Sequence, residues 1–148
     1  MGWKASDIRQ VYFENMEVDS LDMLYAPKNG INKFLKGLTL GRISIGALSV
    51  GTATAAYQKA MVYSKDRIAF NKPINHFQSN SFKLADMAIK IEASRLLVYH
   101  AAWLKDKGEN FIKEAAMAKL YASEAAMEIT REAIQIHGGY GYVHEYDV

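Results

Sequence analysis

The strongest structural signal in this chain is the stretch Leu84-Ala-Asp-Met-Ala-Ile-Lys-Ile-Glu-Ala-Ser-Arg-Leu-Leu-Val-Tyr-His-Ala101. Small and apolar residues recur in it at steps of three and four, which is the spacing of one face of an α-helix. They are Leu84, Met87, Ile91, Ser94, Val98 and Ala101. Ser79 or Asn80 is the expected cap, and Gly108 the expected stop. The stretch therefore predicts a long helix with one packed face.

The same spacing occurs on both sides of that stretch. Upstream, a helix is predicted from Pro27 towards Tyr63, with an apolar face formed by Ile31, Leu35, Leu38, Ile45, Leu48, Thr52 and Ala55. Asn71 and Pro73 should stop it. Downstream, a third helix should end at Gly138-Gly139, with a seam formed by Ala116, Leu120, Ser123, Met127, Thr130 and Ile134. Short connections between such helices predict a mainly α fold, an antiparallel up-and-down bundle.

The first 26 residues have a different pattern. Ile8, Val11 and Phe13 lie among polar residues, which favours a short strand whose partners are expected upstream of Met1. At the other end, three helices leave a groove that a fourth would normally fill. Both ends of the sequence therefore read as cut edges. The predicted organisation is a β-domain end over residues 1–26 and a helical bundle domain over residues 27–148.

Composition excludes several classes of function. Eighteen basic and sixteen acidic residues give a net charge of +2, which is too balanced for a nucleic-acid surface. The chain has no cysteine, so disulfides, thiolate zinc sites and cysteine nucleophiles are excluded. The four histidines lack metal-ligand spacing, so no metal is expected. Without a signal-peptide pattern or an apolar run of ~18 residues, we expect a soluble intracellular protein with no membrane span.

Two groups of residues are candidates for binding a ligand. Arg67 and Gln78 flank the first connection, and an arginine fork with an amide edge could hold a nucleotide. By residue type alone, an arginine that satisfies helix-end carbonyls and a solvated glutamine are the better interpretation. Gln135 and the paired glycines Gly138 and Gly139 could let the main chain approach a ligand. An ordinary glycine cap, with His137 near the helix dipole, is the alternative.

Arg42 is a third candidate, on the first helix. There it interrupts the predicted apolar face, where an arginine is costly unless it is paired or faces a ligand cavity. A site role and a buried ion pair are equally compatible with this position. No nucleophile elbow and no phosphate-binding loop occur, so the sequence contains no self-contained catalytic set.

Read together, several motifs resemble the acyl-CoA dehydrogenase family, and they cover essentially the whole chain. They are Gly41-Arg42-Ile43, Arg67-Ile-Ala-Phe70-Asn-Lys-Pro73-Ile74, Gln78, Leu84-Ala-Asp-Met87 and Gln135-Ile-His-Gly-Gly-Tyr-Gly-Tyr142. The resemblance implies the carboxyl-terminal four-helix bundle of that family with its fourth helix largely missing. Residues 1–26 resemble the last strands of the family's middle β-domain.

The resemblance also implies a cofactor and roles for particular residues. Positions that match Arg67, Phe70 and Gln78 help to hold FAD, and those that match Gln135, Gly138 and Gly139 meet its pyrophosphate and adenosine part across a subunit interface. Gly41 and Arg42 match positions beside the acyl-CoA substrate. The implied assembly is a homo-oligomer, a dimer or tetramer.

The family reaction is the α,β-dehydrogenation of an acyl-CoA thioester, with electron-transferring flavoprotein as the implied acceptor. A glutamate removes the α-proton, and most members carry it beyond the position that matches Val148. Some branches carry it at the position of Gly41, so no catalytic base is expected in this chain, which should be inactive alone. The implied location is the cytoplasm of a bacterium or the mitochondrial matrix of a eukaryote. A non-catalytic oligomerisation module and another flavoprotein, an oxidase or monooxygenase, are the alternatives.

Overall fold

The computed structural model describes residues 5–23 and 30–148. Three long helices account for most of them: α1 spans Gly30–Asp66, α2 spans Gln78–Asp106 and α3 spans Ile112–His137. The only strands in this part of the chain are β1, Ile68–Ala69, and β2, Lys72–Pro73. Short 3-10 turns occupy Ser20–Asp22, Ile74–His76 and Gly138–Tyr142. The predicted mainly α fold is confirmed.

Several predicted boundaries can be compared with these elements. Gly108 and Gly138 follow α2 and α3 with φ of 75° and 59°, so both predicted glycine stops are confirmed. The predicted caps at Ser79 and Asn80 are wrong, because α2 begins at Gln78 after Phe77, without a side-chain cap. The predicted helix start at Pro27 and the predicted domain boundary after residue 26 lie outside the described residues.

The connection between α1 and α2 is a small hairpin. β1 and β2 are antiparallel, with Ile68 opposite Pro73 and Ala69 opposite Lys72. The two residues at the tip, Phe70 and Asn71, have φ of 52° and 62°. Positive φ at both central residues matches the twist of a two-residue hairpin, and Asn71 adopts the left-handed conformation that the sequence predicted.

The predicted strand around Ile8, Val11 and Phe13 does not form. Residues 5–23 contain no strand, and the Ile8, Val11 and Phe13 side chains are exposed. A strand is stable only beside another strand, and the described chain offers none next to this segment. The β pattern of these residues is therefore not expressed in this structure.

Packing fixes the directions of the three helices. One core cluster joins the second half of α1 to the first half of α2 and the second half of α3. A smaller cluster joins the first half of α1 to Val98, Ala101 and Ala118. α1 therefore runs antiparallel to α2 and parallel to α3, as an up-and-down bundle requires. The interface between α1 and α3 is the most extensive.

The predicted packing face is confirmed for α2 and wrong for α1 and α3. On α2 the buried residues are Leu84, Met87, Ile91, Ser94, Val98 and Ala101. On α1 they are instead Thr39, Gly46, Ala53, Ala56, Ala60 and Ser64. On α3 they are Ala115, Ala118, Ala122, Ala125, Ala126, Ile129, Ala133, Ile136 and His137. Most side chains on these two faces are small, which lets α1 and α3 approach closely. At Gly46, for example, an added Cβ would lie 3.0 Å from the Val98 side chain and 3.4 Å from the Ala118 carbonyl oxygen.

No helix within residues 5–23 and 30–148 is long and apolar enough to cross a membrane.

Candidate functional site

The C-terminal ends of α1 and α3 meet at one end of the bundle. Tyr63 in the last turn of α1 stacks on His137, the last residue of α3, with ring centroids 4.4 Å apart and planes 22° apart. His137 is buried, and its Nδ1 lies 2.8 Å from the Ala133 carbonyl oxygen. A carbonyl oxygen can only accept, so Nδ1 donates this hydrogen bond. The stack holds the two helix ends in a fixed relation.

Arg67 begins the hairpin directly after α1. Its backbone N–H donates to the Tyr63 carbonyl at 2.8 Å, and its own carbonyl accepts from the Ile74 N–H at 2.9 Å. The guanidinium carbon lies 5.5 Å from the centre of the Tyr140 ring. In the described part of the chain, Arg67 takes part in no ion pair. Its charge is therefore available to an anion.

Gly138 and Gly139 follow α3 beside that cation. Gly138 has φ of 59° and ψ of −132°, a backbone conformation that residues other than glycine rarely adopt. A Cβ added to either glycine would meet no atom within 4 Å, so the space beside their backbone is open. Gly141, by contrast, is packed so tightly that an added Cβ would lie 2.8 Å from the Ile134 carbonyl oxygen. The loop is thus held against α3 while its two leading glycines face open space.

Arg67 and the paired glycines border a cavity of about 530 Å³. The residues that line it are Tyr63, Arg67, Ile74, Ile136, His137, Gly138, Gly139, Tyr140 and Val143. Arg67 is the only arginine or lysine among them. A cavity that combines one unpaired guanidinium with exposed glycine backbone is suited to a phosphate or pyrophosphate group.

A second cavity, of about 580 Å³, lies on the other side of Arg67 and Tyr140. Its wall includes the last residues of the chain, and Asp147 forms an ion pair with Lys59 of α1. The hydrogen bond from Lys59 lowers the pKa of the Asp147 carboxyl. Burial raises the pKa of the Tyr63 phenol, while the nearby Arg67 charge acts in the opposite direction. The tyrosine therefore stays neutral between the two cavities at ordinary pH.

The predicted site residues fall into two groups. Arg67, Gly138 and Gly139 come together in one cavity. Phe70, Gln78 and Gln135 line neither of the two cavities. Phe70 lies at the hairpin tip, where its ring centroid is 6.2 Å from that of Phe77, and Gln78 and Gln135 are exposed at helix ends.

Gly41 and Arg42 lie elsewhere, exposed on the first half of α1. Arg42 does not interrupt the packed face, because that face is formed by Thr39, Gly46 and the residues in register with them. The alternative of a buried ion pair for Arg42 is therefore wrong. Its position remains accessible to a ligand.

Sequence reasoning missed the aromatic side chains around Arg67. Tyr140 lies 5.2 Å from Tyr146 and 6.3 Å from Tyr63 between ring centroids, and Tyr63 stacks on His137. Tyr140 could have been singled out as the residue between Gly139 and Gly141. Tyr63 and Tyr146 carried no such signal, because only the fold brings the end of α1 to the end of the chain.

Comparisons with known proteins can be set beside this geometry. The sequence profile of the family described as "Acyl-CoA dehydrogenase, C-terminal domain" matches residues 28–148. A probable acyl-CoA dehydrogenase of Bacillus subtilis is 48% identical over 148 residues, which are all of this chain and 39% of that protein. The chain thus spans about two fifths of the length of the curated relatives that it matches.

Two solved structures share the fold closely. Butyryl-CoA dehydrogenase from Megasphaera elsdenii superposes with a TM-score of 0.88 at 48% identity, over 90% of this chain and 35% of that one. A structure described as the electron transferring flavoprotein of Acidaminococcus fermentans also gives a TM-score of 0.88, at 46% identity, over the same shares.

Proposed function

This chain belongs to the acyl-CoA dehydrogenase family, and on that premise we propose that it forms the cofactor-binding helical part of an FAD-dependent enzyme for the α,β-dehydrogenation of an acyl-CoA thioester. The observation that carries the proposal is the cavity where Arg67, Gly138 and Gly139 meet. These residues come from motifs 71 positions apart (138 − 67) that the family resemblance links to one cofactor.

The residues of the cavity fit the pyrophosphate of FAD. Arg67 offers a planar, permanently charged fork with no carboxylate partner in the described chain, and Gly138 and Gly139 leave room beside the backbone. We propose that these three residues hold the pyrophosphate, and that Phe70, Gln78 and Gln135 contact other parts of FAD. The bound flavin would accept the hydride of the family reaction. The roles of Phe70, Gln78 and Gln135 rest on the resemblance alone.

On the substrate side, we propose that Gly41 and Arg42 border the acyl-CoA site. Arg42 is an exposed cation that forms no ion pair in the described residues, and its neighbour Gly41 has no atom within 4 Å of an added Cβ. A thioester with a phosphorylated carrier would find both room and positive charge there.

We propose that no carboxylate of this chain is the catalytic base. Gly41 occupies the position of this chain where some branches of the family carry that base. Three carboxyl groups are also unsuited by their acidity, because a base for the α-proton needs a raised pKa, whereas those of Glu114, Glu132 and Asp147 have a lowered pKa. The causes are, in order, a backbone hydrogen bond, a hydrogen bond from Lys83 and a hydrogen bond from Lys59. Each of these interactions favours the carboxylate and weakens it as a proton acceptor.

The proposed partners follow from the same premise. We propose electron-transferring flavoprotein as the electron acceptor, which is supported by a relative of Acetobacterium woodii, 45% identical over the whole of this chain, that is named as a subunit of a caffeyl-CoA reductase–Etf complex. Large apolar side chains exposed along all three helices support a homo-oligomer, either a dimer or a tetramer. The proposed location is the bacterial cytoplasm, or the mitochondrial matrix if the source is a eukaryote.

The reaction can be tested in a chimera. The matching part of the Megasphaera elsdenii enzyme is replaced by this chain, and reduction of an electron acceptor with butyryl-CoA is measured. The proposal predicts a yellow chimera that dehydrogenates the substrate. A chimera that folds and assembles but contains no flavin would contradict the proposal and favour an oligomerisation module. A yellow chimera that consumes oxygen rapidly would favour an oxidase.

A further inference from the structure

Tyr140 lies where it can control the direction of the Arg67 side chain. The Arg67 guanidinium carbon is 5.5 Å from the centre of the Tyr140 ring, within the range of a cation–π contact. Both residues line both cavities, so the arginine stands on the boundary between them. Which of the two cavities receives the Arg67 charge therefore depends on the contacts that hold the guanidinium.

The two cavities offer the guanidinium different partners. The larger one is lined by the carboxylates of Asp66, Glu145 and Asp147, of which Asp147 already forms an ion pair with Lys59. Among the residues that the structure describes, no carboxylate lines the smaller one, beside Gly138 and Gly139. An arginine that turned towards the first set would be neutralised, because a guanidinium pairs readily with carboxylates. Yet Arg67 forms no ion pair in the described residues.

The Tyr140 ring is itself held by its surroundings. It lies 6.3 Å from Tyr63, at 56° between the planes, and 5.2 Å from Tyr146, at 53°. Gly141 fixes the backbone beside it by its close approach to Ile134. A ring supported on two sides loses little entropy when it contacts a cation, so it can serve as a fixed platform.

We propose that Tyr140 is a positioning residue, which holds the guanidinium of Arg67 at the cavity beside Gly138 and Gly139 and away from the carboxylates of the second cavity. The inference rests on the proposed function, because it assumes that this cavity receives a pyrophosphate. It adds a residue that acts through Arg67 rather than through its own contact with the ligand.

The test is a titration of the chain with inorganic pyrophosphate, followed by NMR at the Arg67 Nε–Hε signal. Replacing the ring in Tyr140→Leu should weaken pyrophosphate binding about two- to fivefold, which is the range of an exposed cation–π contact. The same variant should shift the Arg67 Nε–Hε signal in the unbound protein, because the ring current is lost. Tyr140→Phe keeps the ring and should bind as the parent does.

Tyr142→Leu is the matched control, since Tyr142 lies in the same loop, is 93% exposed and lines neither cavity. Equal binding by Tyr140→Leu and Tyr142→Leu, with an unshifted Arg67 signal, would overturn the positioning role. A third variant, Arg67→Gln, distinguishes a failure of the positioning role of Tyr140 from a failure of the proposed function. If Arg67→Gln binds pyrophosphate as well as the parent, or if the parent shows no binding, the anion site itself is wrong and the positioning role falls with it.

Discussion

At the scale of single residues, a glycine that ends a helix affects the stability of the fold differently from a glycine inside a helix. Gly138 has a backbone conformation, φ of 59° and ψ of −132°, that a side chain would strain. Gly37 lies inside α1, exposed and with no atom within 4 Å of an added Cβ. The same substitution should therefore have opposite effects at the two positions.

Gly138→Ala should lower the free energy of unfolding by about 1–3 kcal/mol, because alanine resists this conformation. Gly37→Ala should raise it by about 0.5–1 kcal/mol, because glycine inside a helix costs conformational entropy. Thermal or urea unfolding of both variants checks the pair. Equal effects at the two positions would show that the conformation of Gly138 is not strained by a side chain.

Some residues that local motifs single out in the sequence lie together in the structure, and their proposed roles stay predictions. Arg67, Gly138 and Gly139 were singled out from local patterns, and the structure brings them to one cavity. Tyr63 was not, because its role depends on the stack with His137, 74 residues later (137 − 63). A contact between residues so far apart in the chain produces no recognisable pattern in the sequence around either residue.

At the scale of elements, the length and order of the helices followed from the sequence, but two packing faces did not. On α1 the predicted positions Leu38, Ile45 and Thr52 each precede a buried residue by one, which is a rotation of about 100°. The predicted face was drawn through the larger apolar side chains rather than through the small ones that are buried. Where helices pack closely, alanine and glycine are the residues buried between them, because their small size allows the backbones to approach.

On α2 the prediction was correct because its packed face contains the larger side chains. Leu84, Met87 and Ile91 are both the most apolar residues of the helical pattern and the buried ones. Large apolar side chains on other sides of α2, such as Ile89 and Leu96, are exposed, so the periodic spacing rather than size alone identified the packed face. The hairpin strands were not predicted, since a two-residue pair at each side of Phe70-Asn71 is too short to give a pattern.

The interface between α2 and α3 carries a titratable contact that gives a prediction at this scale. Lys83 of α2 forms an ion pair with Glu132 of α3, and Lys90 of α2 forms a second ion pair with Glu128 of α3. The hydrogen bond from Lys83 lowers the pKa of Glu132 below its ordinary value of 4.5. A lowered pKa in the folded state means that the pair stabilises the fold above pH 4.5, and that this stabilisation is lost as the pH falls through the folded-state pKa.

Glu132→Gln should therefore lower the free energy of unfolding at neutral pH by about 0.5–1 kcal/mol, a value reduced for partial exposure of the pair. The difference from the parent should shrink in acid, because the parent loses the same charge. Denaturant unfolding at several pH values measures it. Glu124→Gln, on the same helix but in no ion pair of the described residues, is the control and should show no such trend.

At the scale of the whole molecule, the packed faces use small side chains and leave many large ones exposed. Along α1, the side chains of Ile31, Phe34, Leu35 and Leu38 are each more than half exposed. Trp103 on α2 and Met127 on α3 are also more than half exposed. Contiguous apolar surface of this kind is typical of interaction sites, so the bundle presents several faces that could be covered.

The chain should therefore self-associate in solution, and light scattering should give a mass well above that of one chain. The double variant Leu35→Lys, Leu38→Lys should reduce that mass, because it places two charges on the exposed apolar face of α1. Ser44→Lys, at an exposed position on another side of α1, is the control and should leave the mass unchanged. A monomeric parent protein would contradict the expectation.

The central claim is that Arg67 and the Gly138-Gly139 backbone hold the pyrophosphate of FAD in an acyl-CoA dehydrogenase. Its most direct test is the dissociation constant of FAD from the Megasphaera elsdenii chimera, measured with and without Arg67→Gln. A lost hydrogen bond to a charged group is worth about 1.5–3 kcal/mol, so FAD binding should weaken by roughly 10- to 150-fold. Lys65→Gln, an exposed cation two residues earlier, should change it little. Equal FAD affinity in the Arg67→Gln chimera and its parent would contradict the claim.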